Sequence, residues 1–286
     1  MEKTGQIEIR LLDELDLPAA LRLKELARWN QTESDWKRLL CLEPRGCFCA
    51  TIAGRVVGTT TTTTYGREVA WIGMVLVDPE YRRCGIATRL MHAALDYLLK
   101  ARVTAVKLDA TTDGRPVYEK LGFKMETLIE RWAGVAVSPV TVARSTLDAS
   151  ARGEVFALDR LAFSADRSRL IEMLVEDACV APLVARTPDG RLTGYGLARG
   201  GTDAAYVGPL VATISDEATA LLDGLLSELE EQRVYIDVNT DFKSAREVLT
   251  RRGFVKQRDL IRMSYGKESG AGCSQDVFAI AGPEFG

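Results

Sequence analysis

Histidine is almost absent: the 286 residues hold one, His92, beside six cysteines at 41, 47, 49, 84, 179 and 273 that form no CxxC pair. A structural zinc needs several such ligands at close spacing, and a disulfide scaffold needs paired cysteines in a short secreted chain. Both are excluded as organising features, and no metal is expected. Long apolar runs are absent too, since none approaches the ~20 residues that span a bilayer. The opening MEKTGQIEIR has acids where a secretory leader carries positive charge. A cytoplasmic protein without a membrane partner is therefore expected. Nor does one sign of charge dominate: 37 Lys and Arg face 40 Asp and Glu, a net charge of −3. That argues against nucleic acid as a partner, because phosphate backbones require clustered cations. The balance is uneven along the chain, with 20 basic and 18 acidic residues in 1–140 against 17 and 22 in 141–286. An anionic ligand should prefer the first half.

What is present is a globular composition, 47% hydrophobic and 27% charged, at a length that favours two domains. Residues 7–11 read as a strand, and Asp16-Leu17-Pro18 can open a helix bearing Leu21, Leu26 and Trp29. A second short helix starts near Ser34 and contains Trp36, Leu39 and Leu40. Residues 47–52, 55–65 and 68–77 follow as strands, parted by the Ala53-Gly54-Arg55 and Gly66-Arg67 turns. The threonines at 59–64 suit a pleated strand better than a phosphorylated tract. Ile86, Leu90, Met91, Ala94, Leu95 and Leu98 share one face of a helix over 86–100, opposite Arg89, His92, Asp96 and Lys100. His92 is accordingly read as solvated surface. A strand at 103–110, a helix at 115–121 and a strand at 123–132 complete this half.

The same signal then recurs. Leu108-Asp109-Ala110-Thr111-Thr112-Asp113 leads to Leu121-Gly122-Phe123, and Ile236-Asp237-Val238-Asn239-Thr240-Asp241 leads to Arg252-Gly253-Phe254. Upstream, Trp71-Ile72-Gly73-Met74-Val75 parallels Tyr206-Val207-Gly208-Pro209-Leu210. Two related halves are expected, joined near 135–150 where Ser138-Pro139 relaxes the pattern.

The most specific stretch is Val75-Leu76-Val77-Asp78-Pro79-Glu80-Tyr81-Arg82-Arg83-Cys84-Gly85-Ile86-Ala87-Thr88. An apolar strand ends, a loop of Arg82-x-x-Gly85-x-Ala87 follows, and the amphipathic helix begins at once. Small residues at 85 and 87 let the backbone approach a ligand and leave amide N–H groups at a positive helix end free for phosphate oxygens. A pyrophosphate is the natural occupant.

This loop resembles motif A of the GNAT superfamily of N-acetyltransferases, and Val117-Tyr118-Glu119-Lys120-Leu121-Gly122-Phe123 looks like its motif B. The strand order agrees over residues 5–132, and the second half is similar to the degenerate GNAT-like domain of two-domain members. The resemblance implies an α/β (α+β) fold of tandem GNAT-like domains, each a mixed twisted sheet with helices on both faces. Residues 1–140 would be the catalytic domain and 141–286 a degenerate, substrate-shaping one. Acetyl-CoA is the implied cosubstrate. Its pantetheine arm would pair with Met74, Val75, Leu76 and Val77, as in strand addition. Arg82, Arg83, Cys84, Gly85, Ile86, Ala87 and Thr88 would cradle the pyrophosphate. Cys84, at a helix start beside two arginines, is read as a loop residue and not as a nucleophile.

Tyr118 takes the place of the superfamily's catalytic tyrosine, five residues before Phe123. A departing thiolate needs a proton, and with pKa values of ~8.5 for a thiol and ~10 for Tyr the transfer is uphill by only ~2 kcal/mol. Tyr118 is thus the expected general acid, and the Val75 amide the expected oxyanion donor. The general base is not assigned. Many family members place a Glu on the strand before the loop, but 70–75 has no carboxylate. Glu68, Glu33, Asp35, Asp109, a water relay or an amine arriving neutral all stay open.

In the second half the loop is Thr213-Ile214-Ser215-Asp216-Glu217, and Leu249 stands where the tyrosine would be. Acids at a helix start repel phosphate, so this half should neither bind CoA nor catalyse. The run 277–280 could add a strand or dock on the body. Removing 150–286 is expected to damage acceptor use more than cofactor binding. The resulting expectation is transfer of acetyl from acetyl-CoA to the primary amine of a small molecule by direct attack, in a chain that could form a homo-oligomer. The alternatives are a non-catalytic acyl-CoA-binding sensor, which would have no use for Tyr118, and a protein or peptide N-acetyltransferase.

Overall fold

The computed structural model describes residues 6–137, 145–242, 244–272 and 274–286; the expected Ser138-Pro139 junction lies outside the described residues. The first half runs β1 (Glu8–Leu11), α1 (Leu17–Leu26), α2 (Glu33–Leu42), β2 (Phe48–Ile52), β3 (Arg55–Tyr65), β4 (Val69–Val77), α3 (Ile86–Lys100), β5 (Ala105–Ala110), α4 (Arg115–Lys120) and β6 (Lys124–Val135). The second repeats that order as β7 (Ser145–Thr146), α5 (Arg152–Phe163), α6 (Ser168–Glu176), β8 (Leu183–Arg186), β9 (Leu192–Arg199), β10 (Ala205–Ala212), α7 (Ser215–Glu228), β11 (Arg233–Asn239), α8 (Ala245–Arg251) and β12 (Val255–Gly266). A short β13 (Val277–Ala279) follows.

Local chemistry accounts for the boundaries. Thr32 and Asp35 form a reciprocal capping box that starts α2. The threonine run lies within β3, with Thr59 to Thr63 buried. In α3 the six expected apolar residues are the buried ones, and His92 is exposed.

Among the described residues, thirteen strands form one continuous sheet in the order β1-β2-β3-β4-β5-β12-β6-β11-β13-β10-β9-β8-β7. Each half keeps its mixed sheet, but the two exchange their last strands. β12 of the second half pairs with β5 of the first, matching Ile261 with Ala110 through Gly266 with Ala105. β6 of the first half pairs with β11 of the second, from Arg233 opposite Val135 to Asn239 opposite Ile129. The exchanged strands also pair with each other over most of their length. The halves of the chain are therefore not separable in space, and cutting at 150 strips β12 from between β5 and β6.

The core follows the same logic. A single cluster draws Trp36 and Leu39 from α2, Trp71 from β4, Phe163 from α5, Leu170 and Leu174 from α6 and Phe285 from the last residues. Two other clusters stay within one half of the helices each, one under α3 and α4 and one under α7 and α8. Buried charges are paired across the seam: Arg199 bonds Asp35, Arg262 bonds Asp109, and Arg131 bonds Asp237, while Arg199 also bonds Glu284 within the second half. The desolvation of such pairs offsets much of their attraction, so removing one partner costs more than forming the pair gains.

Candidate active site

β4 is interrupted where the cleft begins. Thr59 faces Leu76 and Thr61 faces Gly73, so Met74 and Val75 together stand opposite Thr60 as a β-bulge. Met74 takes a φ of 50° there. On the other side β4 pairs with β5 only at Val69, Ala70 and Trp71. Beyond that point the two parallel strands part, and bulges commonly re-aim a strand in this way beside functional sites.

The end of β4 leads through a short turn at Pro79–Tyr81 into the loop before α3. Gly85 is the N-cap of α3 with a φ of 79°, a left-handed conformation that favours glycine. No side chain caps this helix and no acid stands in its first turn, so its N-terminal amides face outward with a positive dipole. Arg83, with a φ of 64°, is a second left-handed residue of the loop.

A cleft of about 640 Å³ gathers these parts, a volume within the usual range for small-molecule sites. Met74, Val75, Leu76, Val77, Arg82, Arg83, Gly85, Ile86, Ala87, Thr88 and Tyr118 all line it. Cys84 does not: its side chain is exposed, with Sγ against the Arg82 carbonyl. Trp29 and Ala27 form an apolar wall after α1, while Arg258 and Leu260 reach in from the second half.

Tyr118 is held by α4, which begins after Gly114. A Cβ on Gly114 would come 2.9 Å from the Tyr118 ring and 3.3 Å from its hydroxyl, so the small residue makes room for the phenol. The ring packs edge-on to Phe123 at 6.2 Å between centroids. Burial pushes the phenol above its ordinary pKa, which keeps it protonated and makes it a weaker acid than a free tyrosine.

The carboxylates considered from sequence divide clearly. Glu68 is exposed, and Glu33 is exposed and paired with Lys37. Asp109 lines the cleft but is held by Nε and Nη2 of Arg262. Asp35 lies in a small neighbouring polar niche, where Arg199 and Arg38 outweigh its burial and keep its pKa low.

A carboxylate that sequence reasoning missed is Glu284. It is 2% exposed, lines the cleft, and accepts hydrogen bonds from Gln31 Nε2 at 2.9 Å and Arg199 Nη2 at 3.1 Å. Burial and the neighbouring Asp35 push its pKa above the usual carboxylate value, against the pull of Arg199. Its backbone lies directly over β4: a Cβ on Gly73 would stand 2.8 Å from the Glu284 Cα. Nothing local in Gly282-Pro283-Glu284 signals this, because the placement depends on a segment more than 200 positions from its neighbour Gly73.

The corresponding place in the second half is closed. β10 and β11 pair in parallel at Ala205, Tyr206 and Val207 and then part, as β4 and β5 do. Here β13 fills the gap, with Ala279 opposite both Leu210 and Val238. The run at 277–280 thus adds a strand and lies against both walls of the slot. Asp216 and Glu217 occupy the first turn of α7, and Leu249 is fully buried.

Comparisons with known proteins agree with this architecture. The acetyltransferase (GNAT) family model matches residues 12–123, and an acetyltransferase (GNAT) domain model matches 155–279. An uncharacterized N-acetyltransferase of Bacillus subtilis, YitH, is 29% identical over 266 residues, covering 92% of this chain and 93% of its own. A glucosamine 6-phosphate N-acetyltransferase of Trypanosoma brucei brucei is 31% identical over 132 residues, 41% of this chain and 89% of its own. A crystal structure from Pyrococcus horikoshii superposes with a TM-score of 0.83 at 21% identity, covering 100% of this chain and 99% of that one. A tandem GNAT protein from the clavulanic acid biosynthesis pathway gives 0.67 at 18% identity, covering 92% and 100%. The chain belongs to the GNAT family of N-acetyltransferases, as a member built from two GNAT domains in tandem.

Proposed function

We propose that the protein transfers an acetyl group from acetyl-CoA to the primary amine of a small molecule, at one site per chain. The observation that carries this reading is the cleft in which the bulged end of β4, the 82–88 loop and Tyr118 meet. The parted strands offer backbone groups to the amide-bearing pantetheine arm. Arg82, Arg83 and the uncapped start of α3 suit the pyrophosphate. The filled slot between β10 and β11 speaks against a second cofactor.

In this mechanism Glu284 takes a proton from the acceptor's ammonium group, supplying the carboxylate that β4 lacks. The neutral amine then forms its N–C bond to the thioester carbonyl, whose oxygen gains the negative charge and is met by the Val75 amide. Collapse breaks the C–S bond, and Tyr118 gives its proton to the thiolate. The surplus proton on the new amide nitrogen returns to the Tyr118 phenolate, and Glu284 releases the proton it took to solvent. Burial weakens the tyrosine as an acid, but the thiolate is desolvated in the same cleft and becomes a stronger base. Proximity of amine and thioester supplies much of the rate.

Calorimetry tests the reading. Acetyl-CoA should saturate at one equivalent per chain. Gly85→Glu should abolish binding, while Gly85→Ala, which imposes the same left-handed strain without charge, should weaken it far less. A stoichiometry of two, or an unaffected Gly85→Glu variant, would remove the assignment.

A further inference from the structure

Three charged residues stand side by side on one face of three neighbouring strands, the exchanged β12 and β6 and the adjoining β11. Across the sheet Asp237 on β11 is directly opposite Arg131 on β6, and Arg131 is directly opposite Arg258 on β12. Residues opposite one another share a face, and like charges so placed repel. The register shifts between Lys256 and Arg258. Lys256 bonds Glu130 and Asp259, whereas Arg258 lines the cleft with Arg131.

The single carboxylate of this row is already used. Arg131 Nε and Nη2 donate to the two oxygens of Asp237 at 2.7 and 2.5 Å, and the Tyr206 hydroxyl donates to Asp237 Oδ2 at 3.1 Å. The other carboxylates of the cleft lining are Asp109, held by Arg262, Glu284, held by Arg199 and Gln31, and Asp113, exposed before α4. Among the described residues Arg258 has no ion-pair partner, and its buried Nε has no hydrogen-bond partner. Burial and Arg131 both act to lower its pKa. A half-buried guanidinium beside a second one, with its donors unmet, is a site built for an anion.

Its position separates it from the phosphate loop. β12 pairs with the end of β5 at Ile261 and Ala110, so Arg258 lies beyond that end, where Thr111 leads towards the helix of Tyr118. The loop of 82–88 follows β4, on the far side of β5.

We propose that Arg258, backed by Arg131, holds a carboxylate or phosphate on the acceptor, so that the acceptor is a small amine that also bears an anionic group. The proposal rests on the acetyl-transfer reading of the same cleft. It explains why a strand of the second half enters the first half's site: it brings the cation that selects the acceptor.

Matched amines test it, compared at equal free-amine concentration: glycine against glycinamide, and O-phosphoethanolamine against ethanolamine. At least one anionic member should exceed its neutral partner by about tenfold or more in kcat/KM, and the preferred pair tells carboxylate from phosphate. Arg258→Met should raise KM for that acceptor by about tenfold or more with a smaller change in kcat, and Arg258→Lys should fall between. Neutral partners used equally well would overturn the proposal, as would a variant whose main loss is in acetyl-CoA affinity. A substrate-independent readout compares thermal unfolding in phosphate or acetate with chloride at equal ionic strength, with and without CoA. A rise in Tm that Arg258→Met abolishes supports the site. No rise, or an equal rise in both proteins, overturns it. Should acetyl-CoA itself fail to bind, the acetyl-transfer reading falls, while this second readout still decides whether the anion site exists.

Discussion

Tyr118 and Glu284 face the same cleft with pKa values raised for related reasons, and their proposed roles call for opposite protonation states. Tyr118→Phe keeps the ring that packs on Phe123 and removes the proposed donor. Turnover should drop by ~10²–10⁴-fold, the usual scale for loss of a general acid, while acetyl-CoA affinity stays nearly constant. Unchanged turnover with chemistry rate-limiting returns the residue to the core. In its proposed role Glu284 acts only as the carboxylate, and its raised pKa means that this form is lost at a higher pH than for an ordinary glutamate. Activity should therefore decline on acidification while most other carboxylates are still ionised. Glu284→Gln, which preserves size, should reduce kcat and remove that acidic limb; a pH–rate profile identical to wild type would assign the residue to packing alone.

At the scale of elements, the functional weight lies where regular pairing stops. β4 bulges at Met74 and Val75 and parts from β5, and residues 280–286 run across it at Gly73. Arg167 and Tyr65 tie that run down by donating to the carbonyls of Gly286 and Phe285, each at 2.7 Å. Gly73→Ala would place a Cβ 2.8 Å from the Glu284 Cα, a contact between two backbones that neither can easily yield. A destabilisation of ~1–3 kcal/mol is expected in urea unfolding, the range for overpacking, with a loss of turnover as Glu284 shifts. Wild-type stability and activity would show that the run does not lie on β4 in solution.

For the molecule as a whole, strand exchange decides what can be removed. The repeat alone suggests that residues 1–140 could fold and hold the cofactor without the rest. In the structure β6 is flanked by β12 and β11, both from the second half, and the shared core includes Phe163, Tyr195 and Phe285. A 1–140 fragment should therefore lose cooperative unfolding and acetyl-CoA binding together. Circular dichroism with calorimetry checks this, and a folded fragment that binds acetyl-CoA would refute it. The same arrangement makes β13 and the residues after it serve both halves, first closing the slot between β10 and β11 and then delivering Glu284 to the cleft.

The sequence by itself determined the elements of the first half and the glycine-bearing loop before α3, because those depend on neighbours in the chain. Apolar spacing in 86–100 matches α3 residue for residue, and Gly85 marks the left-handed turn into that helix through its own backbone alone. The internal repeat was legible for the same reason, as two copies of one local pattern. Three features were settled only by the tertiary structure: the exchange of β6 and β12, the arrival of Glu284 at Gly73, and the juxtaposition of Asp237, Arg131 and Arg258. Each depends on pairing between segments about 100 or more positions apart. No periodicity or spacing records such pairing, since its register is set by burial and by hydrogen bonds that exist only once the sheet has closed.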